Sequence, residues 1–138
     1  MSDKRVTEII ELLNGATTVE GLSIHAEVIN TDEQMIKVII ETREELPIIV
    51  DINDDQILAI ANLWDASEVK QESEAEMMRS MLRMNIALPL SAFAQTGSQY
   101  QLFGALSTDS RDEVIIEEVE LLSSNLEAVL EDFAIYLK

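Results

Sequence analysis

The sequence predicts an α+β domain, an antiparallel β-sheet packed by about three α-helices, on three observations. Residues 22–29 and 35–42 alternate apolar and polar side chains with a period of two, as strands with one wet face do. Residues 6–13 and 115–133 repeat apolar side chains every three or four positions, as amphipathic helices do. Between Met84 and Ser107 a helix end, a proline exit and two short apolar runs around Thr96-Gly97-Ser98 read as a hairpin. Both flanks of that hairpin pattern as helix, so it is the piece on which helices would pack.

Taken in order, residues 3–13 form a helix with Val6, Ile9, Ile10 and Leu13 on one face, Ser2 or Asp3 as cap, and Asn14-Gly15 as a left-handed stop. A loop closes at Gly21. In the first strand Ile24, Ala26 and Val28 face one way and His25 and Glu27 the other. Asn30-Thr31-Asp32 supplies turn chemistry. In the second strand Ile36, Val38 and Ile40 oppose Lys37 and Glu41, and the two strands pair as a hairpin. Pro47 opens a third run, 48–52, where its missing N–H matters least.

Residues 56–64 admit two readings. Ile57, Ile60, Ala61 and Trp64 have helical spacing behind an Asn53/Gln56 capping box. Alternatively Asn53-Asp54-Asp55 turns the chain into a strand with Leu58, Ile60 and Trp64 on one side; this strand reading is favoured. Residues 65–73 are a polar surface connection. Residues 73–85 are a helix of good formers, ended by Pro89, because the residue before proline avoids the α region. After the hairpin, Ser110 and Glu113 read as N-cap and N3 of a capping box. The steps Ile115, Val119, Leu122, Leu126, Val129 and Phe133 then predict a helix running near to Tyr136. A break at Ser123-Ser124, with 114–121 as a strand, is the competing reading.

The 138 residues suit one domain, 1–138, with a core of its own. At 47% apolar composition the chain has enough to bury and is not disordered wholesale. Its net charge of −18 opposes phosphate backbones and anionic lipid, which argues against nucleic acid and direct membrane insertion. With no cysteine there is no disulfide, thiolate or Cys-ligated zinc, which fits the cytoplasm. The first residues lack the apolar core of a signal peptide, and no apolar run approaches the roughly 20 residues that span a bilayer.

Chemistry-bearing constellations are sparse. Asp51-Ile52-Asn53-Asp54-Asp55 suggests a calcium loop, but the sixth and twelfth positions, which need Gly and Glu, are Gln56 and Asn62. His25 is the single histidine, on the wet side of a strand beside Glu27, and reads as a surface residue. Gly97 and Gly104 are isolated and fit a turn and a strand rather than a phosphate loop. The adjacent acids Glu44/Glu45, Asp54/Asp55, Glu117/Glu118 and Glu131/Asp132 do not face one another as a catalytic pair must. The expectation is no enzyme, no metal and no cofactor.

Methionine is the exception. Met77, Met81 and Met84 stand at i, i+4 and i+7 of one helix, with Met78 and Leu82 on the adjoining stripe. Flexible, polarisable thioethers suit surfaces that bind varied apolar partners, so these three are candidate partner-binding residues; core packing is the plainer alternative. Glu117, Glu120, Glu127 and Glu131 on the last helix are candidates of a second kind, an acidic face for a basic partner, set against a face that confers solubility.

At Leu88-Pro-Leu-Ser91, Leu102-Phe-Gly-Ala-Leu-Ser107 and Leu121-Leu-Ser-Ser-Asn125 the chain resembles the bacterial YjfI family. Gln56-Ile57-Leu58 and the connection from Leu63-Trp64 to Val69-Lys70 add to that resemblance, which runs from about Glu45 onward. It implies a neighbour of the phage-shock-protein-A type, a basic helical coiled coil, and a role in envelope stress. The element order is also similar to that of the small type III secretion chaperones and of the YbjN family, a likeness of fold. The expected function is therefore non-enzymatic protein binding by an adaptor or chaperone-like domain. The alternative is a small-ligand sensor with a pocket near Trp64 and Tyr100.

Overall fold

The computed structural model describes residues 3–30, 32 and 34–138, without the side chains of Asp3 and Asn30. The alternating runs become strands β1 (Ile24–Asn30), β2 (Met35–Ile40), β3 (Ile48–Ile52) and β4 (Ile57–Asp65), and the hairpin supplies β5 (Ala92–Thr96) and β6 (Gln99–Leu106). All neighbours are antiparallel, in the order β1-β2-β3-β4-β6-β5. Gly97, at φ 59°, supplies the left-handed residue that the tight β5–β6 turn requires.

Three helices accompany the sheet: α1 (Asp3–Asn14), α2 (Glu74–Ala87) and α3 (Asp112–Asp132). They lie over β1, β5, and β3 with β4 and β6, respectively. One core joins them to alternate strand residues, among them Ile24, Ala26, Ile36, Val38, Val50, Ala59, Ala61 and Leu102. The helices thus share one face of the sheet, and among the described residues the other face carries no helix.

Strand residues 56–64 settle the first ambiguity, with one correction. The β4–β6 ladder slips between Asn62 and Asp65, and the bulge turns Trp64 onto the buried face with Ile57, Ala59 and Ala61. Leu58 and Ile60 point to the opposite side, so the three do not share a face. Asn53 makes no helix cap; its Oδ1 accepts the N–H groups of Asp55 (2.8 Å) and Gln56 (3.0 Å) in a turn.

α3 runs unbroken through Ser123-Ser124, which removes the strand alternative for 114–121, but it ends at Asp132 and yields to a 3₁₀ turn over Ala134–Tyr136. Its N-cap is Arg111, without a side-chain cap bond, and not Ser110. The Ser110 carbonyl is instead held by Arg5 Nη2 at 3.2 Å, together with that of Thr108 at 3.0 Å, which ties α1 to the start of α3. The left-handed stop expected at Gly15 is also absent: positive φ among the described glycines occurs at Gly21 and Gly97. Asn14 ends α1 differently, by clasping the β1 edge: its Nδ2 donates to the Ala26 carbonyl (2.9 Å) and its Oδ1 accepts the Ala26 N–H (2.8 Å). Ser2, the Asp3 side chain and Thr31, for which a cap and a turn were expected, lie outside the described residues.

Residues 65–73 are more than a surface connection. Asp65 and Glu68 form a capping box on a 3₁₀ turn, Val69 is buried, and Lys70 N–H donates to the Tyr136 carbonyl at 2.8 Å. The C-terminal turn is thereby fastened beneath α2, where Phe133 meets Trp64, Phe93 and Tyr136 at ring-centroid distances of 6.0, 5.4 and 5.6 Å.

Candidate functional site

α2 is apolar on two stripes, and only one of them enters the core. Met77 is fully buried, Met81 nearly so, and Met84 is half-buried against the core. The adjoining stripe, Met78, Leu82 and Ile86, spaced by four residues, faces outward, with Leu82 71% and Ile86 93% exposed. Between this stripe and β5 lies an open groove of about 210 Å³ lined by Met78, Met81, Leu82, Asn85, Phe93, Ala94, Gln95 and Tyr100. Leu90, on the loop that joins α2 to β5, adds a further exposed apolar side chain and sits at φ 62°.

β5 is the outermost strand at this end of the sheet, so its free edge borders the groove. Asn85 closes part of that edge, because its Oδ1 accepts the Phe93 N–H at 2.7 Å. An asparagine at a helix end thus blunts each edge of the sheet, Asn14 at β1 and Asn85 at β5, which disfavours uncontrolled strand addition. At the groove wall, the Tyr100 hydroxyl donates to Glu74 Oε2 at 2.8 Å. Burial, and then the acceptor Glu74, push the phenol up to about 12, so it stays protonated. The groove therefore offers apolar surface and few polar groups able to orient a small polar ligand, and it is smaller than the ~300 Å³ at which ligand pockets usually begin.

The acidic residues singled out on α3 are divided by the fold. Glu117 and Glu131 are exposed. Glu120 is half-buried and accepts the backbone N–H of Val19. Glu127 lies 3.5 Å from Arg43, whose buried guanidinium also donates to Ser123 Oγ at 3.2 Å and stands 3.7 Å from Glu20. Part of the expected acidic face is thus spent internally on Arg43. The methionines and these acids lie on different helices; the groove takes Met81 from the first set and none from the second.

Glu118, on the inner side of α3, carries no such partner. It is 2% exposed, and its Oε2 has no hydrogen bond among the described residues. Its carboxylate lies over Gly104 of β6, where an added Cβ would come within 1.7 Å of Oε1. Burial, and then the charge of Glu117, push it up to about 7. His25 lies on the sheet face without helices, 3.7 Å from Glu27, with most of its side chain in solvent. No group of three or more His, Cys, Asp or Glu among the described residues could hold a metal. No described helix is long and apolar enough to cross a membrane.

Ile86 on the outward stripe and Asn85 and Phe93 in the groove are not among the residues that the sequence singled out. The signal for Ile86 was present, as the third member of the i, i+4, i+8 series begun by Met78 and Leu82. Phe93 and Asn85 had none, because which strand ends the sheet is not a local property.

A six-stranded antiparallel sheet with helices on one face and an open apolar groove beside its edge strand defines an α+β protein. The chain belongs to the bacterial family described as "Uncharacterized protein conserved in bacteria (DUF2170)", which it matches over residues 4–137. Among solved structures, a chain of the ExsC–ExsE complex is similar in fold, with a TM-score of 0.57 at 14% identity, covering 91% of this chain and 93% of that one. The Yersinia pestis type III secretion chaperone SycH, in complex with a stable fragment of YscM2, gives a TM-score of 0.44 at 15% identity, with 96% and 99% covered. No curated protein matches the chain. At 14% identity the likeness to the first of these is one of fold.

Proposed function

We propose that this protein is a non-enzymatic, chaperone-like binding module that holds an apolar segment of a protein partner along α2. The observation that carries the reading is the outward stripe Met78-Leu82-Ile86 beside the groove, large apolar side chains left in water on a helix whose other stripe is already in the core. Because Asn85 occupies the Phe93 N–H, a partner helix laid against α2 fits better than a strand added to β5. The fold shared with a chain of the ExsC–ExsE protein complex supports the same class of function.

For the partner itself, the YjfI resemblance points to a basic coiled coil of the phage-shock-protein-A type, acting in envelope stress. Exposed Glu117 and Glu131 would steer it, as would the overall charge of −18. Titration calorimetry with such a coiled-coil protein tests both parts. Leu82→Glu with Ile86→Glu should weaken binding at least about tenfold, as loss of central apolar anchors does. Glu117→Lys with Glu131→Lys should slow association at low salt and leave the dissociation rate nearly unchanged. Glu120 and Glu127 are left intact because Val19 and Arg43 depend on them. Groove variants that bind as wild type would overturn the reading.

A further inference from the structure

The acidity of this chain stops at α2. In a sequence with 27 acidic residues, positions 77–108 contain no Asp or Glu, and their two charged side chains are Arg79 and Arg83. That run comprises most of α2 and the whole β5–β6 hairpin, the elements that build the groove. α2 keeps its own acids, Glu74 and Glu76, in its first turn, where they complement the helix dipole. A molecule of charge −18 thus carries a locally basic strip beside its outward apolar stripe.

At about 100° per residue, Arg79 and Arg83 form the row next to Met78, Leu82 and Ile86, on the side away from the buried Met77 and Met81. Both arginines are exposed. The other arginines stand against acids of this chain: Arg5 against Glu8, Arg43 against Glu20 and Glu127, Arg111 against Glu113. Arg79 and Arg83 make no ion pair or side-chain hydrogen bond with the described residues. Like charges at i and i+4 weaken a helix, and neither arginine lies in the last turn, where a cation would complement the dipole. Neither the fold nor the dipole uses the pair. We infer that the segment seated on α2 is an amphipathic helix with carboxylates flanking its apolar face, spaced so that two of them meet Arg79 and Arg83.

The inference rests on the reading of α2 as the partner-binding site and adds the charge of what sits there. A partner that is basic overall satisfies it, because long-range steering follows net charge while the two guanidinium groups act at contact. Two synthetic helical peptides of equal composition, read by fluorescence anisotropy with the full chain, provide the test. Both carry Leu at i, i+4 and i+8. One has Glu on both flanks of that face and Lys on the far side; the other has Glu and Lys exchanged. Equal net charge gives both the same long-range interaction with the protein. The Glu-flanked peptide should bind about tenfold tighter at low salt, with the preference shrinking as salt rises. Arg79→Glu with Arg83→Glu should reverse the preference without changing the circular dichroism. Should that variant misfold, Arg79→Gln with Arg83→Gln should abolish the preference. Equal binding of both peptides, lost in Leu82→Glu with Ile86→Glu, overturns the inference and leaves the reading of the groove standing. Binding of neither peptide overturns both. A tighter Lys-flanked peptide, or a preference that survives the arginine variants, overturns the inference by placing the charge recognition elsewhere.

Discussion

Glu118 and Gly104 are coupled: the carboxylate fits over β6 only because residue 104 has no Cβ. In Gly104→Ala the new atom would meet Glu118 Oε1 at 1.7 Å, its Cδ at 2.6 Å and the Leu90 carbonyl at 2.9 Å. The substitution should cost about 2 kcal/mol or more in denaturant melts, as overpacking does. Adding Glu118→Ala should restore part of that loss, because the Leu90 carbonyl remains in the way. The pH dependence of Glu118 follows from a pKa pushed up to about 7 from the ordinary 4.5. Between those values the folded state holds a proton that the unfolded state has released, so stability is lost as pH rises from about 4.5 to about 7. Glu118→Gln keeps the shape and removes the titration. The variant should therefore gain on wild type as pH is raised across that window, by on the order of 3 kcal/mol at pH 8. Equal stability differences between the two proteins at pH 5 and pH 8 would show that the carboxyl titrates normally.

At the scale of elements, caps and edges decided where the chain turns. The Ser110/Glu113 pattern looked like a helix start, yet the helix begins one residue later and draws its tie from Arg5 to backbone carbonyls. Ser110→Ala should therefore change stability by less than about 0.5 kcal/mol, where loss of a true N-cap costs about 1. Asp65→Ala should behave in the opposite way. Its carboxylate accepts from Ser67 N–H at 2.9 Å and from the Ser98 hydroxyl; these bonds, those of Ser67 first, pull it down to about 2. Removing it should loosen both the 3₁₀ turn and the β5–β6 turn, seen as faster amide exchange at Ser67 and Ser98. Equal exchange in the variant and wild type would show that the cap is ornamental. The Asp-x-x-Glu signature of this box was as plain in sequence as the one at Ser110, and nothing local separates them. What does is that Asp65 sits where a strand ends against its neighbour.

For the whole molecule the dominant fact is charge. At −18, compact folding concentrates like charges that the unfolded chain spreads apart. Raising sodium chloride should raise the melting temperature by about 3 °C or more, the shift that ~1 kcal/mol produces in a chain of this length. The comparison is made at one low protein concentration, since any self-association would also raise it. A flat response would mean that internal pairings such as Arg43 with Glu20 and Glu127 already offset the repulsion.

The sequence by itself determined two alternating runs, a third run opened by Pro47, a proline-bounded hairpin and the amphipathic helices, whose side-chain repeats are set by local backbone geometry; it left 56–64 between strand and helix and 114–121 between helix and strand. It also determined the charge and the poverty of catalytic groups. The tertiary structure alone decided which strand lies at the edge, that all helices share one face, and that a bulge turns Trp64 inward. It also decided that Met77 is core while Leu82 and Ile86 meet water. Each of these depends on which distant segments are neighbours, and a residue's burial or pKa, as at Glu118 over Gly104, is a property of that neighbourhood and not of the residue.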